Sequence, residues 1–76
     1  MKQQSRRSES RLRERQRLSG TEVKVVELLV NGMKRKEISE RLSLSVHTVN
    51  THIERIYEKL DVHNEAAAVA KAIRLG

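Results

Sequence analysis

The sequence predicts an all-α fold, with four helices in a compact domain behind a basic N-terminal tail. Three observations carry this. From Ser19 onward the apolar residues recur at helical spacing, with no alternating strand pattern. None of the 76 residues is Pro, so no helix is interrupted. Ser19, Ser45 and Asn64 each stand where an apolar-periodic segment begins, as N-cap residues do.

Residues 1–17 form the tail or a linker. They hold seven of the 16 Lys and Arg but only two of the ten Asp and Glu. Leu12 is the one aliphatic residue between Lys2 and Arg17, so this stretch cannot bury a core. A solvated linker and a specific contact arm both fit it. It is not a basic zipper, because the seven-residue series Leu18, Val25, Gly32, Ser39 loses its apolar residues.

The first helix follows Ser19, whose hydroxyl forms a capping box with Glu22. It runs to Asn31, presents Val25, Val26, Leu29 and Val30, and stops at Gly32. The second helix is short, Arg35 to Leu42, with Ile38 and Leu42 facing inward. After Ser43-Leu44-Ser45 the third runs from Val46 to Leu60. The fourth follows Asn64, is rich in Ala and ends at Leu75.

Composition excludes several functions. Without Cys there is no disulfide framework, no Cys-ligated zinc finger and no thiol nucleophile. Tyr57 is the sole aromatic, so there is no stacking platform for single strands. The longest apolar run, Ala66 to Ala70, is too short to span a membrane, and no apolar segment follows the basic start as in a signal peptide. A cytoplasmic location is expected. The net charge of +6 and a pI near 10.3 point to a polyanionic partner, most simply nucleic acid. Residues 18–76 alone carry only +1, so their basic groups count by position.

Helices 2 and 3 and their short turn have the proportions of a helix-turn-helix. Ile38, Leu42, Leu44 and Val49 fill the inward places, Ser39 is small where the next helix comes close, and His52 takes the last apolar place. Leu44, aliphatic within a polar turn, plugs the corner between the helices.

The stretch Leu18 to Val69 resembles the LuxR-type DNA-binding domain, also called the FixJ/NarL-type output domain of response regulators. The resemblance runs through Leu18-Ser19, Glu22, Val25-Val26, Leu28-Leu29, Gly32, Lys36-Glu37-Ile38, Leu42 and Ser45. Its most specific part is Thr48-Val49-Asn50-Thr51-His52 followed by Lys59-Leu60-Asp61-Val62. Sigma-factor region 4 shares parts of the first three helices but lacks this ending. The chain departs from the family pattern at Thr21 and Lys24, at Lys34-Arg35, where Ser/Thr-Asn is usual, and at Glu65 and Ala67, where Arg and Glu are usual. The resemblance implies sequence-specific binding of double-stranded DNA and dimerisation through helix 4 on inverted repeats.

Counting about 100° per residue from Val49 puts His52, Ile53, Ile56 and Leu60 on the core side of helix 3. His47, Thr51, Glu54 and Glu58 lie opposite, flanked by Asn50 and Arg55. Recognition helices present their N-terminal turns to base edges. His47, Asn50, Thr51, Glu54 and Arg55 are therefore the candidate base readers. Asn50 suits adenine, Thr51 a thymine methyl and Glu54 cytosine N4. Glu54 also fits a surface pair with Arg55. By resemblance, Asn50, Thr51 and Glu54 occupy positions that commonly contact bases.

Phosphate contacts are expected from Lys34, Arg35 and Lys36 at the start of helix 2, from Ser45 and Thr48 at the start of helix 3, and from Lys59. Lys59 also suits the dipole at the end of helix 3. The dimer interface is expected at Ala68, Val69, Ala72 and Ile73, although the small stripe suits inward packing equally.

No metal site, cofactor or catalytic group is expected. His47 and His52 do not share a helix face, and His63 stands apart in a loop. His52 reads as a core histidine bonded to a neighbour. The competing class is a helical protein-interaction module, for example one contacting RNA polymerase, with weak or no specific DNA binding.

Overall fold

The structure, a computed structural model, describes residues 17–75. The expectations for the basic tail, apart from Arg17, and for Gly76 lie outside these residues. The described residues form four helices and no strand: α1 (Gly20–Val30), α2 (Arg35–Leu42), α3 (Val46–Leu60) and α4 (Glu65–Leu75).

The caps explain why the helices begin where they do. Ser19 Oγ accepts from the Glu22 amide at 3.1 Å, and Glu22 Oε1 accepts from the Ser19 amide at 2.9 Å. Ser45 Oγ accepts from the Thr48 amide at 3.0 Å, and Asn64 Oδ1 from the Ala67 amide at 2.8 Å. At α2, Lys34 offers no oxygen. Glu37 Oε1 instead accepts the Lys34 amide at 2.8 Å, and its charge offsets the cations gathered there.

The first three helices end in one way. Gly32, Ser43 and Asp61 adopt left-handed backbone, with φ of 83°, 57° and 57°. The next residues, Met33, Leu44 and Val62, send their amides back to Leu28, Ser39 and Tyr57 carbonyls at 3.0, 2.8 and 2.9 Å. All three are apolar and pack against the core. Leu44 thus does plug the corner between α2 and α3, as one of three equivalent plugs. Only at Gly32 is the left-handed backbone free of a Cβ clash.

α3 is the centre, packing on each of the other three helices, while α1 also packs on α4. Val49, Ile53, Ile56 and Leu60 are fully buried against Val23, Val25, Val26 and Leu29 of α1, Ile38 of α2, and Ala68 and Ala72 of α4. Two apolar expectations change. Val30, the last residue of α1, is 38% exposed, and Leu42 is half-buried at the core's edge. The expected partner of His52 is also missing at one nitrogen, since Nδ1 is buried without a hydrogen bond. None of the described helices is long and apolar enough to cross a membrane.

Candidate nucleic-acid interface

The buried stripe of α3 fixes what its other side shows. His47, Glu54 and Arg55 are exposed, and Asn50 and Thr51 are half-buried beside them. Thr51 Oγ1 donates to the His47 carbonyl at 3.1 Å, which leaves its methyl turned from that bond. The first turn is ordered by Ser45, whose hydroxyl also donates to Thr48 Oγ1 at 2.9 Å. Neither ion pair among the described residues involves Glu54 or Arg55, so the expected alternative of a Glu54–Arg55 surface pair is not formed.

The three cations at the start of α2 do not behave alike. Lys34 and Lys36 are exposed. Arg35 turns inward: Nη1 donates to Asn50 Oδ1 at 2.7 Å, and Nη2 to the Tyr57 hydroxyl at a longer 3.4 Å. Nη2 also lies 4.0 Å from Glu65 Oε1. Arg35 and Glu65 are two of the positions that depart from the usual residue types, and here they meet. Sequence reasoning did not include Tyr57. The signal was available, because Tyr57 lies seven residues after Asn50 and so on the same face.

Lys59 is also engaged within the domain. Its ammonium lies 2.7 Å from Glu22 Oε1 and donates to the Arg17 carbonyl at 3.2 Å. The end of α3 is served by Lys71 of α4, which donates to the Leu60 carbonyl at 2.6 Å. Glu22 is buried, which by itself would raise its pKa. The Lys59 hydrogen bond, the Ser19 amide and the charges of Lys59 and His52 overcome that and hold the carboxyl below its usual range.

On α4 the expected dimer residues divide. Ala68 and Ala72 are buried in this chain's own core, so they are unavailable to a second copy. Their small size serves close packing of α4 on α1 and α3. Ile73 is 60% exposed and Val69 half-buried. With exposed Ala66 and Ala70 they form an outward apolar stripe at helical spacing.

The second half of α3 has a different character. Glu54, Tyr57, Glu58, Asp61, Val62 and His63 line an open groove. Its acidic groups, Glu54, Glu58 and Asp61, would repel a phosphate. Among the described residues no cluster of His, Asp and Glu could hold a metal ion.

Comparison with known proteins identifies the family of the chain. The family described as bacterial regulatory proteins, luxR family, matches residues 16–72. The response regulator UvrY of Escherichia coli K12 is 39% identical over 59 residues, covering 78% of this chain and 27% of that protein. The probable transcriptional regulatory protein NarL of Mycobacterium tuberculosis H37Rv is 42% identical over 57 residues, covering 75% of this chain and 26% of its own length. The chain thus spans about a quarter of the length of these relatives. No solved structure gives a significant match.

Proposed function

The chain belongs to the luxR family of bacterial regulatory proteins, whose helix-turn-helix domains bind DNA in transcription regulation, and from that premise we propose how this one reads its site. α3 enters the major groove. His47, Asn50, Thr51, Glu54 and Arg55 face base edges, and Lys34, Lys36, Ser45 and Thr48 hold phosphates on either side. The protein works in the cytoplasm as a homodimer on inverted repeats, the two copies meeting through Val69 and Ile73 on the outer stripe of α4.

One observation carries this reading. The capped first turns of α3 present a polar surface, opposite a fully buried stripe, beside the exposed cations Lys34 and Lys36. Arg35 and Lys59 leave the phosphate set, because both are engaged within the domain.

A second reading, a protein-interaction module that could include an RNA polymerase contact, draws on the acidic groove at the end of α3. Selection of duplexes from a random pool by the full chain, followed by footprinting and sedimentation, separates the two. Enrichment of paired half-sites about one helical turn apart, bound by two copies, is expected. A monomer on a single half-site would remove the dimer, and no enrichment would favour the second reading.

A further inference from the structure

A guanidinium at the first position of a helix is electrostatically misplaced, since it faces the positive end of the helix dipole. Arg35 sits there at the start of α2. Its fork reaches across to α3 instead, with Nη1 on Asn50 Oδ1 at 2.7 Å and Nη2 on the Tyr57 hydroxyl at 3.4 Å. Glu65, at the start of α4, draws the same nitrogen from 4.0 Å. Two nitrogens engaged at once fix the plane of the fork, which a single contact would not.

The fork also decides which way the Asn50 amide points. A guanidinium has only donors, so the amide group facing it must be the acceptor Oδ1. Turning the amide over would set Nδ2 hydrogens against N–H hydrogens. The planar amide then directs Nδ2 away from Arg35. Adenine recognition by Asn needs both ends of the amide, Oδ1 accepting from N6 and Nδ2 donating to N7. Oδ1 keeps a second lone pair, but Arg35 holds that oxygen towards α2, so the two Nδ2 hydrogens are what the side chain offers on the side away from Arg35. Guanine, with acceptors at both N7 and O6, matches them. Thymine offers only O4, beside a methyl group.

We propose that Arg35 is a positioning residue that sets the Asn50 amide as a donor, so that the domain selects guanine in place of adenine at the base pair Asn50 meets. This rests on the reading of α3 as the recognition helix.

The test measures base preference at every position of the selected site for the full chain and for the variants Asn50→Ala, Asn50→Asp and Arg35→Met. Thermal unfolding shows whether each is folded. Asn50→Ala identifies the base pair by flattening its preference. At that pair the unsubstituted chain should favour guanine over adenine by about tenfold. Arg35→Met should abolish or reverse that ratio there and leave other positions as they were. Asn50→Asp keeps an acceptor for Arg35 but has no Nδ2, so it should lose the guanine preference even if Arg35→Met fails to fold.

Three results would overturn the proposal. One is a preference for adenine in the unsubstituted chain. Another is a uniform loss of affinity in Arg35→Met, with the salt slope lower by about one and the guanine ratio kept, which is the behaviour of a phosphate contact. The third is an Asn50→Ala variant with every preference intact. That last result removes Asn50 as a reader altogether, and so separates failure of the recognition-helix reading from failure of the Arg35 role.

Discussion

The Lys59 ammonium lies 2.7 Å from Oε1 of Glu22, joining residues 37 apart in the chain. The same carboxylate caps α1 through the Ser19 amide. One buried acid therefore ties the start of α1 to the last turn of α3, the helix proposed to read DNA.

The Glu22 charge predicts acid sensitivity. The Glu22 carboxyl is held below its usual range in the folded state, so its contribution is complete above the ordinary carboxylate range. It is lost as pH falls through that range towards the lowered value. Thermal midpoints measured from about pH 7 to about pH 3 should fall with acid. Glu22→Gln should lower the midpoint at neutral pH and flatten the acid limb. The cost is about 1–3 kcal/mol. The lower part of that range is expected, because Lys59 is 36% exposed and its charge is screened by solvent.

The contrast between two lysines gives a binding prediction. Lys36 is exposed at the start of α2, where a phosphate contact is proposed, whereas Lys59 is engaged by Glu22. Lys36→Ala should weaken binding to all sequences alike and reduce the salt slope by about one. Lys59→Met should lower the unfolding midpoint and leave the salt slope as it was. Fluorescence anisotropy at several salt concentrations, together with thermal melts, checks both.

Much of this fold was legible because its signals are local. The Ser19–Glu22 box, the Ser45 and Asn64 caps and the stop at Gly32 lie within a few residues of the backbone they control. The buried stripe of α3 followed from periodicity alone. What was not legible depends on how the helices cross. Arg35 and Lys59 looked like surface cations until the fold brought Asn50 and Glu22 to them. Ala68 and Ala72 suited either side of α4 until the core took them. The left-handed stops at Ser43 and Asp61 carried no glycine to announce them.

The cap of α3 has a stabilising role and a proposed role in binding. Ser45→Ala removes the acceptor of the Thr48 amide and should cost about 1 kcal/mol, or about 4–8 °C in thermal midpoint. Ser45→Asp keeps the cap but brings a negative charge to where a phosphate contact is proposed. It should restore the midpoint while weakening DNA binding. Paired melting and binding measurements separate the two roles.

The two sides of α4 should respond differently to substitution. Ile73→Glu, at a residue that is 60% exposed, should leave stability within about 0.5 kcal/mol of the unsubstituted chain and weaken two-copy binding to paired half-sites. Ala72→Leu enlarges a buried position and should cost about 1–3 kcal/mol through overpacking, whatever the oligomeric state. Sedimentation on DNA and thermal melts read the two effects independently.

The most direct test of α3 as a reader of sequence is a titration of the full chain against its selected duplex and a scrambled duplex of equal length, repeated at several salt concentrations. The selected duplex should bind about 10³-fold more tightly or better, with affinity for both falling steeply as salt rises. Equal affinity for the two duplexes at every salt concentration would contradict it.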